Sequence, residues 1–183
     1  MLTRPVIVPA RRAGGDVKPD VQGRGGDGAA PLGKKMTDPF VKPEDDTAAD
    51  AIAAIADELS LFDDWMDRYQ YIIELGRKLP PFPKEWTNDA HRVPGCQSQV
   101  WLEARQEGDA LFFAGASDAA IVSGLVALLL RVYSGRSRAE ILGTDPAFLR
   151  ELGLVQALST NRGNGVEAMA RAIRKAASMQ DAC

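Results

Sequence analysis

Cys96 is the residue of this sequence best placed to do chemistry. It lies between Gly95 and the polar pair Gln97-Ser98, at the end of a proline-bounded stretch and just before an alternating, strand-like run. A cysteine kept for packing usually sits inside an apolar periodic segment, so this setting favours a reactive thiol over a small buried hydrophobe. A free thiol is only about 3% thiolate at pH 7, and a working sulfur nucleophile therefore gains from a nearby cation. Arg92, His91 and Arg162 are the candidates. A pKa near ambient pH suits a thiol that both accepts and releases sulfur, because lowering it further weakens the nucleophile. His91 is expected to be a surface side chain rather than a general base, which disfavours a Cys-His hydrolase. Trp101 and Tyr69 are expected as core aromatics rather than ligand platforms. Asp118 is expected to cap a helix, Glu167 to complement a helix N-terminus, and Cys183 to be inert in a fraying end.

The remaining composition removes most other chemistries. With one histidine and two cysteines, a His-rich zinc site, HExxH or a four-cysteine site cannot be assembled. No P-loop occurs, so that phosphate cradle is missing. The formal charge is -3, but residues 1–35 carry seven Lys/Arg against three Asp, which leaves the rest of the chain acidic. An acidic domain without a basic stripe argues against nucleic-acid binding. The most apolar run, Ala119 to Leu130, is broken by Ser123 and Gly124 and falls short of the ~20 residues a membrane span needs, so no membrane is expected. The N-terminus lacks the continuous apolar stretch of a secretory signal. Two cysteines, one at the extreme C-terminus, give no disulfide framework and suit a reducing cytoplasm.

The elements that would hold Cys96 follow from periodicity. Residues 1–35 contain seven Gly and four Pro with no aromatic side chain, and cannot bury enough surface to offset their ordering entropy. Residues 1–46 are therefore expected as a disordered extension, with Met36 an alternative start, and 47–180 as the folded domain. Thr47 with Asp50 resembles a capping box ahead of Ile52, Ile55 and Leu59. A second helix is signalled by Phe62, Trp65, Tyr69, Ile72, Ile73 and Gly76 on one face, and Pro80, Pro81 and Pro83 stop it. A loop from Phe82 to Gln97 delivers Cys96 to a hairpin, whose first strand alternates Val100, Leu102, Ala104 with Trp101, Glu103, Arg105. Gly108-Asp109 turns the chain, and residues 111–116 return. Ser117 or Asp118 is expected to cap the next helix, apolar nearly all round from Ile121 to Val132, at the centre of the core. Gly135 closes it. Short helices at Ser137 to Leu142 and Pro146 to Leu152 precede a final one from about Asn161 to Ser178. Helices, a small antiparallel sheet, then helices make an α+β fold.

Gly95-Cys96-Gln97-Ser98-Gln99-Val100-Trp101 resembles the active-cysteine segment of the SufE family. Ser117 to Val122 with Gly124-Leu125, Arg162 with Gly165 and Glu167-Ala168-Met169, and Tyr71 to Gly76 agree in order, so the likeness runs from about Leu59 to Ala177. The resemblance implies a small curved antiparallel sheet packed with helices, shared with IscU-type scaffolds. It implies that Cys96 accepts persulfide sulfur from a cysteine desulfurase of the SufS/CsdA type, itself a pyridoxal-phosphate enzyme, and passes it to the Suf scaffold complex. Arg162 matches an arginine placed near that cysteine, and Gly95, Gln97, Ser98, Trp101, Asp118 and Glu167 belong to the matching segments. No cofactor is expected on this chain. A cluster scaffold needs about four ligands, commonly cysteines, and one well-positioned cysteine suits a relay instead. The alternative is a non-catalytic module that activates the desulfurase through its surface.

Overall fold

The computed structural model describes residues 37–154 and 160–179, and all side chains within them except those of 160–164. The first two helices are α1 (Ala48–Ser60) and α2 (Trp65–Arg77). Thr47 caps α1, its hydroxyl oxygen accepting from the Asp50 amide at 3.1 Å. Asp64 does the same for α2 through the Met66 amide at 2.5 Å. After the prolines comes a 3-10 turn, Lys84–Trp86, then β1 (Val100–Glu107) and β2 (Ala110–Ser117), paired antiparallel with Glu103 opposite Ala114. Gly108, at φ +59°, makes the tight reversal between them.

The third helix, α3 (Ala120–Tyr133), is the centre of the molecule, as its all-round apolar pattern predicts. Leu125, Val126, Leu128, Leu129, Leu130 and Val132 are each at most 2% exposed, and burial of such a side chain stabilises by about 1.5–3 kcal/mol. Two features let other elements close on it. Gly76 of α2 and Gly124 of α3 face each other, and a Cβ built on Gly76 falls 2.5 Å from the Gly124 nitrogen. Gly115 of β2 likewise lies under Val126, whose Cγ1 would be 2.8 Å from an added Cβ.

Beyond α3, Gly135 at φ +76° turns the chain into a strand not anticipated from the sequence, β3 (Arg136–Ser137). It pairs with the start of β2, giving a three-stranded antiparallel sheet in the order β1-β2-β3. Two residues carry no readable alternation, and register with β2 alone defines this strand. The remaining helices are α4 (Arg138–Gly143), α5 (Phe148–Glu151) and α6 (Thr160–Ser178). The fold is α+β, as expected.

Residues 37–46, placed by composition with the extension, run along the domain. Phe40 is buried, the Val41 amide donates to the Phe113 carbonyl at 2.9 Å, and Asp38 pairs with Arg105 at 3.0 Å. Arg131 of α3 joins Asp45 to Glu58 of α1, at 3.0 and 2.9 Å. These partners are distant in sequence, so local composition carried no sign of them. The rest of the expected extension lies outside the described residues.

Candidate functional site

The proline-bounded loop is more ordered than its composition suggests. His91 to Val93 pair with the start of β1: the Leu102 amide donates to the His91 carbonyl at 2.9 Å and the Val93 amide to the Val100 carbonyl at 2.8 Å, with Arg92 opposite Trp101. Cys96 therefore sits in a short loop, residues 94–99, at the tip of an antiparallel pair. Gly95 reverses the chain at φ +89°. An added Cβ there meets only Ala168 at an ordinary 3.6 Å, so backbone conformation rather than space demands glycine. Gly95→Ala is expected to strain the closed loop by about 1–2 kcal/mol, seen as a roughly tenfold faster alkylation of Cys96 in the folded protein.

The far side of the loop is tied to the corner between β2 and α3. Asp118 Oδ1 accepts from the Gln99 amide at 3.0 Å, while the Gln99 carbonyl accepts from the Asp118 amide at 3.2 Å and the Ser117 hydroxyl at 2.8 Å. This corrects the capping expectation. The N-cap of α3 is Ala119 without a side-chain cap, and Asp118 is spent on the Cys96 loop instead. The loop's main-chain amide competes for the carboxylate, and sequence spacing cannot show that competitor.

Cys96 is half-buried and points at α6, where its Sγ donates to the Gly165 carbonyl at 3.4 Å. A Cβ on Gly165 would lie 3.7 Å from that sulfur, in contact but without a clash. The thiol borders a crevice of about 10 Å³ lined by Ser98, Val122, Leu125, Gly165, Val166 and Met169. That is space for about one water-sized sphere. Burial pushes the thiol above its ordinary pKa, and the positive fields of Arg171 and Arg92 offset only part of that. The expected balance near ambient pH is thus not that of the closed loop, in which the sulfur is held as S–H. Arg171 was missed by the sequence reading. It is mostly exposed on α6 and lies 3.8 Å from Glu167, and only this i,i+4 spacing marked it.

Other expected site residues are placed as follows. Arg92 and Gln97 are exposed, and Ser98 lines the crevice. Trp101 and Tyr69 are half-buried, Tyr69 packed against the core as expected and Trp101 where β1 meets the loop. Glu167 lies beyond the first turn of α6 and approaches Arg150 at 3.4 Å, so an ion pair and not the helix end takes its charge. Arg162 falls in the first turn of α6, and its side chain, like Cys183, lies outside the described residues. His91 is corrected outright: its side chain is 13% exposed and turns away to Glu103, 3.1 Å from Nε2 to Oε2. Among the described residues no group of three or more His, Cys, Asp or Glu side chains is arranged to hold a metal, and no helix is long and apolar enough to cross a membrane.

Residues 53–177 match the family profile described as SufE: Fe-S metabolism associated domain. This chain belongs to the SufE family. An uncharacterised SufE-like protein of Rhizobium meliloti (strain 1021) is 43% identical over 128 residues, 67% of this chain and 91% of that one. A second, from Rhizobium etli, is 43% identical over 133 residues, 70% of this chain and 90% of its own length. A solution structure of a hypothetical protein from Thermus thermophilus superposes with a TM-score of 0.59 at 23% identity. It covers 69% of this chain and 93% of its own, and speaks for the fold. Membership in the SufE family associates the domain with Fe-S metabolism.

Proposed function

We propose that this SufE-family protein is a sulfur relay: Cys96 takes persulfide sulfur from a cysteine desulfurase and hands it to the iron-sulfur assembly scaffold in the cytoplasm, with no cofactor bound to this chain. The observation that carries the reading is a lone loop thiol held over a crevice of about 10 Å³ against Gly165. In the transfer step the Cys96 thiolate attacks the outer sulfur of the donor persulfide. A new S–S bond forms on Cys96, the donor S–S bond breaks, and the donor cysteine leaves as a thiolate that takes up the proton lost by Cys96. No net oxidation occurs.

The closed loop supports the resting half of this cycle. A protonated, half-buried thiol is a poor nucleophile, which guards the single carrier against adventitious oxidants. Outward movement of residues 92–98 restores solvent, lets the thiol ionise, and leaves Arg92 and Arg171 to favour the anion. When the loop returns, the added sulfur is expected to turn into the crevice beside Val122 and Met169. Arg162 is proposed as a further charge partner. The pyridoxal-phosphate chemistry that releases sulfur from cysteine belongs to the donor enzyme.

The test is intact-mass measurement after incubation with a desulfurase and cysteine. One additional sulfur is expected, mapped by proteolysis to the Cys96 peptide and removed by a reducing agent. A chain that stays unmodified while the desulfurase turns over would overturn the proposal.

A further inference from the structure

On the face of β1 opposite α3 and α6, the chain's single histidine meets a buried acid. Val93, Val100 and Leu102 pack toward Val126, Leu129 and Met169. Strand alternation therefore sends Glu103 to the other side, away from the sulfur. Glu103 is 3% exposed there, and its Oε2 makes no hydrogen bond among the described residues, although His91 Nε2 lies 3.1 Å away. The ring is stacked on Trp86, 5.9 Å between centroids and 19° from parallel, and Trp86 leans on Phe40 and Phe82.

Donor and acceptor arithmetic shows what lies between His91 and Glu103. The Asn88 amide nitrogen donates to the Glu85 carbonyl at 2.6 Å, which sets the orientation of that side chain. Its Oδ1 accepts from the Ala90 amide at 2.9 Å and faces His91 Nδ1 at 2.9 Å. Nδ1 consequently carries the hydrogen, and Nε2 of a neutral ring is a bare acceptor. A bare acceptor 3.1 Å from a buried carboxylate oxygen that nothing else satisfies favours the protonated, neutral acid. Burial pushes Glu103 up to about 7, offset in part by the Ala104 amide, and pushes His91 down, which agrees with a neutral pair whose proton belongs to the acid.

The pair spans the root of the Cys96 loop, because the main-chain bonds from Val93 to Val100 and from Leu102 to His91 lie beside it. We propose that His91 and Glu103 are a proton-linked positioning pair: with the buried acid protonated against the neutral ring, they hold the loop closed on α6 and set how often Cys96 is presented, without touching the sulfur. The neighbouring charges do not replace that proton. On the same face of β1, Arg105 is occupied by Asp38 at 3.0 Å and Glu107 at 2.7 Å. The β2 residues opposite, Phe112, Ala114 and Ala116, do not titrate. Of the charged side chains on the loop, Lys84 and Glu85 belong to the 3-10 turn, Asp89 is exposed next to Asn88, and Arg92 is exposed beside Trp101. As pH rises through about 7 the acid loses that proton, a buried carboxylate then faces a bare acceptor, and the root loosens.

This inference rests on the relay reading for its purpose but not for its test, which needs no desulfurase. Hydrogen exchange at the Val93 and Leu102 amides of the full chain, corrected for intrinsic pH dependence, is followed from about pH 6 to about pH 8. Protection is expected to fall roughly tenfold over that range in the wild type, while amides within α3 stay constant. Glu103→Gln stays neutral without titrating, and its protection should remain high and flat. Glu103→Ala should be low at every pH, with Cys96 alkylated roughly tenfold faster at pH 6. A wild-type profile as flat as that of Glu103→Gln overturns the proposal, even if Glu103→Ala does not fold. Failure of sulfur loading with these profiles intact would instead overturn the relay.

Discussion

Replacing Cys96 by Ser is expected to abolish sulfur loading and to reduce stimulation of a cysteine desulfurase by at least about 10²-fold. The oxygen of serine is nearly isosteric and can still donate to the Gly165 carbonyl, so the closed loop and the thermal stability should be almost unchanged. What is lost is the nucleophile. An alcohol ionises too weakly near neutral pH to attack a persulfide, and an S–O product would not deliver sulfur onward. The assay is radiolabel transferred from cysteine to this chain, together with alanine release by the desulfurase. A protein acting only as a binding activator would keep its stimulation as Cys96→Ser, and that outcome would sink the relay. Lower loading with affinity for the desulfurase retained would localise the defect to chemistry rather than docking.

The largest stability effect is expected at the crossing of α2 and α3. A Cβ on Gly124 would lie well inside contact distance of the Ile72 carbonyl oxygen and side chain. The obstructing atoms are helix backbone, which cannot rotate aside as a long side chain can. Gly124→Ala should therefore cost about 3 kcal/mol, although alanine is the better helix former, and lower Tm by roughly 10 °C. Gly143→Ala is the control: nothing lies within 4 Å of its added Cβ and its φ is not positive. It should be neutral or stabilising by up to about 1 kcal/mol. Thermal unfolding followed by circular dichroism separates the two, and an unchanged Tm for Gly124→Ala would show that the helices do not approach this closely. Because α3 also lines the crevice through Val122 and Leu125, the same substitution should loosen the seat of Cys96.

The elements were legible where period and punctuation are local. Thr47 with Asp50, the alternation from Val100 to Arg105, the Gly108 reversal and the all-apolar α3 each announce themselves within one or two turns of chain. Cys96 was legible for the same reason, since glycine before it and polar residues after it are neighbours in sequence. Its surroundings were not. Asp118 resembled a helix cap until the Gln99 amide took its carboxylate, and His91 resembled a surface side chain until Trp86 and Glu103 enclosed it. Arg171 carried no mark beyond its spacing from Glu167, yet its charge reaches the thiol.

The amino-acid sequence alone determined that this is an α+β chain of the SufE type with one cysteine in a loop ahead of the hairpin. Helical and strand periods, turn residues and a local motif are properties of adjacent residues. Only the tertiary structure decided the surroundings of that cysteine: half-buried against Gly165, 69 positions away, over a crevice with space for about one water-sized sphere. It also decided that His91 and Glu103 lie on the opposite face of β1. The reason is physical: burial and charge fields depend on which atoms displace water from a group, and those atoms come from distant parts of the chain.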